Sequence, residues 1–130
     1  MKLIKEYKKD YKINSSDDIK PLVKKFQNED REFLICIGLD SKNKVNFLEV
    51  VTVGILNSSL VHPREFFKKA IINSCNSVVF VHNHPTGDLS PSSEDQQAKN
   101  ILIKSGEILG IKVVDSVIIG KGSLESYQGV

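Results

Sequence analysis

Apolar and polar residues follow two different periods along this chain, and the changes of period mark its elements. Ile19, Leu22, Val23 and Phe26 recur at helical spacing behind Ser15-Ser16-Asp17-Asp18, a run that starts helices, with Pro21 in the first turn where it is tolerated. Glu32 to Leu39 and Val45 to Val53 are dense in Phe, Leu, Ile and Val. The polar Asp40-Ser41-Lys42-Asn43 between them predicts a hairpin of two adjacent strands. Pro63 opens a second helix, in which Phe67, Ala70, Ile71, Ser74 and Cys75 share one face and Arg64, Lys68 and Lys69 point away, as in a helix lying on a sheet.

Val78 to Val81 form a short, continuous, mostly β-branched run that predicts a central strand buried on both faces, and it leads straight into His82. The segment from Asn83 to Ser90 is rich in turn residues. Ser90 followed by Pro91 reads as an N-cap and first helical residue of a third helix, with Ala98, Ile101, Leu102, Ser105 and Leu109 inward and Gly110 at its end. Ile111 to Ile119 predicts another strand, and Gly120 to Gly122 a turn into a last short strand near Tyr127. Helices and strands interspersed in this order give an α/β fold, a mixed central β-sheet flanked by helices.

With 130 residues and 40% apolar content, one domain can bury a core of ordinary size. Eighteen Lys and Arg against sixteen Asp and Glu leave a formal +2, which does not suit a dedicated nucleic-acid or membrane-surface binder and lends no support to DNA association. Lys2, Lys5, Lys8, Lys9 and Lys12 read as a solvated basic arm, so residues 1–29 are expected to be an arm and short helix ahead of a domain over 30–130. No apolar stretch has the length of a signal-peptide core or of a bilayer span, and the expected location is the cytoplasm. Cys36 and Cys75 sit in apolar stretches without zinc-knuckle spacing and read as buried, inert thiols.

The candidate chemistry lies between His82 and Asp95. Residues two apart on a strand point to one side, so His82 and His84 present both imidazoles to one point while Asn83 faces away. Ser92 and Asp95, three apart at a helix start, share a face, and the intervening loop is long enough to fold that turn back over the strand end. Two neutral nitrogens and one carboxylate oxygen make a three-ligand set with a fourth position open for water, the arrangement of a catalytic zinc rather than a closed structural one. Such an ion lowers the pKa of water and polarises a carbonyl, which makes amide hydrolysis the natural reaction. By chance, this combination of residues and spacings arises in about one chain in a few thousand.

His-x-His, seven residues, Ser, two residues, Asp is the pattern of the JAMM (MPN+) zinc metallopeptidases, and this chain resembles their RadC branch. The likeness also runs through Arg31-Glu32 to Leu39-Asp40, Gly54 to Ser59, Pro63-Arg64-Glu65, His82-Asn83-His84-Pro85 and Asp115 to Gly120, covering about residues 30–127. It implies a JAMM/MPN (cytidine deaminase-like) sandwich over 30–130, with Zn2+ held by His82, His84 and Asp95. It also implies an upstream glutamate as general acid and base, which falls on Glu49 when the hairpin is laid against the RadC pattern, and Ser92 as hydrogen-bond donor to the oxyanion. Glu49 stands in the apolar run from Phe47 to Val53, an expensive place for a carboxylate without a task. Two positions depart from the branch: Ser116 stands where His usually follows the late aspartate, and Thr86 where Ser is usual. His62 reads as a residue of the helix cap.

The expected activity is therefore zinc-dependent hydrolysis of a peptide or isopeptide bond in a protein or peptide substrate. The alternative is a metal-stabilised binding module associated with DNA repair or mobile elements that cleaves nothing. An HNH-type nuclease is excluded, because that fold spreads its three residues over two strands and a helix, whereas His82-Asn83-His84 is one tripeptide.

Overall fold

Strands β1 (Lys2–Glu6), β2 (Phe33–Leu39), β3 (Val45–Val53), β4 (Ser77–Asn83), β5 (Lys112–Gly120) and β6 (Ser123–Ser126) form one mixed sheet in the order β1-β3-β2-β4-β5-β6. All pairings are antiparallel except that of β4 with β5. The computed structural model describes residues 2–6, 11–54 and 61–127. Lys8, Lys9 and positions 55–59 of the Gly54–Ser59 string lie outside the described residues. Where a solvated basic arm is expected, Lys2–Glu6 instead pair with β3 as an edge strand.

β2 and β4 are central, which is why their sequences are apolar without alternation: both faces are covered. On one face Leu34, Cys36, Phe47 and Phe80 pack against Phe66, Phe67, Ala70, Ala98 and Leu102 from the helices. On the other, Ile35, Ile37, Val79 and Val81 pack against Ile19, Leu22, Val23 and Phe26. The sheet is thus the middle layer of an α/β sandwich, as expected. Gly38 is required by packing, since a Cβ there would lie 2.0 Å from the ring of Phe47, its cross-strand partner.

The helices differ from the sequence pattern in three places. The helix expected after Ser15 is a 3-10 turn (Ser16–Asp18), a four-residue helix α1 (Lys20–Val23) and a second 3-10 turn (Lys24–Phe26). Pro21 has no N–H with which to continue the first turn, so the chain restarts around it. The helix expected from Pro63 is likewise two pieces, α2 (Pro63–Phe66) and α3 (Lys68–Ile72), and Ile71 is exposed instead of facing the sheet. The long helix α4 (Ser93–Leu109) is capped by Ser92 and not by Ser90, leaving Pro91 outside it. Its inner face carries Asp95, Ala98, Leu102 and Gly106, while Leu109 is exposed. Gly106 is inward because the Ile111 carbonyl passes where a Cβ would be, at 2.3 Å. Gly110 ends α4 in the left-handed region (φ 73°), as expected.

Candidate metal centre

The parallel partners β4 and β5 must be joined by a crossover, and α4 supplies it, so the start of α4 lies beside the end of β4. The period of two along β4 carries Phe80 and His82 to the face covered by α4. His84 lies just beyond the strand, yet its N–H donates to the Ile119 carbonyl at 2.8 Å and so keeps the strand's direction. The two rings meet edge to face with centroids 5.1 Å apart.

Each imidazole is oriented by a backbone carbonyl. His82 Nδ1 lies 3.0 Å from Phe33 O, and His84 Nδ1 lies 2.7 Å from Asp88 O. A carbonyl only accepts, so both Nδ1 atoms carry a proton, and both Nε2 atoms are the ring nitrogens turned toward the carboxylates. The two Nε2 atoms face Asp95: Oδ2 is 2.9 Å from His84 Nε2, and Oδ1 is 3.6 Å from His82 Nε2. One ligand atom from each of the three residues lies within 4.8 Å of the others.

Asp95 is set by its own helix. It is the third helical residue and closes a capping box with Ser92: the Asp95 N–H donates to Ser92 Oγ at 3.1 Å, and the Ser92 N–H donates to Asp95 Oδ2 at 2.7 Å. The donor set fits a metal ion. Two Nε2 atoms turned on one buried carboxylate call for positive charge between them, which a metal ion on the deprotonated nitrogens would supply, and two nitrogens with one carboxylate oxygen suit zinc with a position left open. Burial holds the His82 imidazole below its ordinary range, against the opposing pull of the Asp95 and Glu32 carboxylates. Neutral imidazole is the form that ligates.

The glutamate expected at the centre is corrected. Glu49 lies on β3, two strands from β4, opposite Cys36, while His82 is opposite Leu34 nearer the strand end. Glu49 is buried there with Oε1 lacking a hydrogen-bond partner among the described residues. The carboxylate at the centre is Glu32, whose Oε1 is 3.2 Å from His82 Nε2. Glu32 immediately precedes β2, the neighbour of β4, so the register of that pair carries it past His82; its distance of 50 residues along the chain hides this from any local pattern. The available signal was its place as the last charge before a central strand.

Burial raises the Glu49 carboxyl above its ordinary range, opposed mainly by Lys69. A raised carboxyl favours the folded state below the ordinary carboxylate range, and that contribution is lost as pH rises through the folded-state value. Glu49→Gln is therefore expected to melt a few degrees above wild type near pH 7, with the gap closing as the pH falls toward about 4, and to bind metal unchanged. Thermal melts across that range and metal analysis check both; a loss of metal would return Glu49 to the centre.

Ser92 caps α4 through its lone pair, which leaves the hydroxyl proton available. It lines an open groove of about 630 Å³ with Asp30, Arg31, Glu32, Gly54 and His84. His62 caps α2 through its backbone carbonyl, as expected. Cys36 and Cys75 are free and buried, and burial pushes the Cys75 thiol up to about 11.

Comparison with known proteins finds a matching family and a set of relatives. The sequence profile of the family described as "RadC-like JAB domain" matches residues 13–129. A UPF0758 protein of Methanosarcina mazei is 46% identical over 118 residues, covering 90% of this chain and 52% of the relative. A UPF0758 protein of Desulfitobacterium hafniense is 50% identical over 109 residues, covering 83% of this chain and 48% of its own length. One from Chlorobaculum parvum is 43% identical over 118 residues, covering 90% and 53%. The chain spans about half the length of these relatives.

Proposed function

We propose, from the premise that this chain belongs to the RadC family within the JAB (MPN) domain superfamily, that it is a zinc-dependent hydrolase of peptide or isopeptide bonds. The supporting observation is the convergence of the His82 and His84 Nε2 atoms on Asp95 with a second carboxylate, Glu32, at the edge facing the groove. His82, His84 and Asp95 would hold the ion. A zinc ion there would supply a Lewis acid for the substrate carbonyl and bring the pKa of water toward neutrality.

The remaining work falls to the chain's own groups. The Glu32 carboxylate takes the proton of the attacking water and returns it to the leaving amine. The Ser92 hydroxyl donates to the oxyanion, since its capping role uses only a lone pair. The groove receives the substrate chain from solvent, and its wall of Asp30, Arg31 and Asp88 meets the residues flanking the scissile bond.

Zinc-loaded and chelator-stripped protein should be incubated with peptide libraries and with lysine isopeptide conjugates, the products being read by mass spectrometry. Cleavage is expected from the loaded protein only, and zinc added back should restore it. Protein that retains zinc and cuts nothing would instead favour a metal-stabilised binding module.

A further inference from the structure

Asn83 stands between the two histidine ligands, and the chemistry above gives it no part. Its side chain is buried at 1% exposure, so its polar atoms need partners within the fold. Oδ1 accepts from the Phe33 N–H at 2.5 Å, and Nδ2 donates to the Arg31 carbonyl at 2.8 Å. The partners settle which end of the amide is which, because an N–H only donates and a carbonyl only accepts.

The Arg31 carbonyl belongs to the peptide group before the Glu32 Cα, and the Phe33 N–H to the peptide group after it. The register between β2 and β4 runs from Leu39–Ser77 to Leu34–His82 and ends there. Beyond that end, one carboxamide from β4 grips both peptide planes beside Glu32. With both planes held, the backbone angles of Glu32 are set, and so is the direction in which its side chain leaves toward His82.

We propose that Asn83 is the positioning residue for Glu32: the tripeptide that carries the two histidine ligands also aims the carboxylate at them. The inference rests on Glu32 as the proton acceptor. Reactive groups tolerate little misplacement, about 1 Å costing on the order of 100-fold in rate. One rival route exists, because the Phe33 carbonyl also orients His82. If Asn83 acted through His82, its loss would weaken metal binding; acting through Glu32, it would not.

The test compares wild type, Asn83→Ala, Glu32→Gln and the double variant. Zinc affinity is measured by competition with a chromophoric chelator, amide hydrogen exchange is followed at Phe33, and kcat and KM are measured on a peptide from the cleavage screen. Asn83→Ala is expected to keep its zinc affinity, to exchange the Phe33 amide about tenfold faster or more, and to lose about 10–100-fold in kcat with KM unchanged. In the Glu32→Gln background it should cost nothing further, since the group it aims is already disabled. A parallel loss of zinc affinity, or a full additional loss in the double variant, overturns the proposal. If wild type cleaves nothing, the hydrolase reading fails separately, and unchanged Phe33 exchange in Asn83→Ala would still sink the clamp. Should Asn83→Ala not fold, wild type alone decides: Phe33 protection equal to that of the β2 amides supports the clamp, and exchange at the rate of open chain refutes it.

Discussion

Glu32→Gln is expected to keep its zinc and to lose about 10²–10⁴-fold in kcat, the range for removal of a general base. The substitution preserves size, polarity and the approach to His82 Nε2, which Glu32 Oε1 meets at 3.2 Å. It removes only the capacity to take a proton. KM should barely change, because an interaction made mainly in the transition state has been lost rather than one that binds substrate. Kinetics beside metal content per chain separate this from a damaged site, and Glu49→Gln is the matched control. Full activity in Glu32→Gln would remove the assignment of the base, whatever the zinc content.

Asp95→Ala is expected to abolish metal binding in practice, because the side chain serves two purposes with one carboxylate. Oδ2 faces His84 Nε2 at 2.9 Å and also accepts the Ser92 N–H at 2.7 Å. Removing a ligand should weaken zinc binding by more than the roughly 10–100-fold that follows loss of an outer partner. Breaking the capping box should cost the metal-free protein about 1 kcal/mol as well. Wild type should melt higher as zinc is added, by about 2.7 kcal/mol at a hundred times Kd, and Asp95→Ala should not respond. Asp95→Asn separates the purposes: its amide oxygen still caps the helix, so its metal-free melting should stay near wild type while its zinc response falls. A zinc response in Asp95→Ala equal to that of wild type would place the ion elsewhere.

These two substitutions also mark where the sequence was informative. His82, His84 and Asp95 were legible because each depends on short-range geometry, two residues of strand and one turn of helix joined by a short loop. The central strands were legible from unbroken apolar runs, and Gly110 from its place at the end of α4. Helix starts were less so. Ser90-Pro91 and Ser92 with Asp95 both satisfy the rules for an N-terminus, and only the reciprocal bonds of the second pair decide between them. The exposed face of α3 was misread because its pattern fits a buried stripe as well as it fits Ile71 and Ile72 in solvent.

The carboxylate partner illustrates the division best. A charge inside an apolar strand draws attention to Glu49, but burial alone does not say what a side chain meets, and Glu49 lies on β3, opposite Cys36 and two strands from β4. Glu32 reaches His82 through the pairing of β2 with β4, and the Asn83 clamp is made across the same pairing. By itself, then, the sequence determined the α/β class, the central strands and the convergence of His82, His84 and Asp95. Tertiary structure alone decided which glutamate joins them and what holds it there, because strand register is a contact between distant segments, set by how whole faces pack and not by any spacing along the chain.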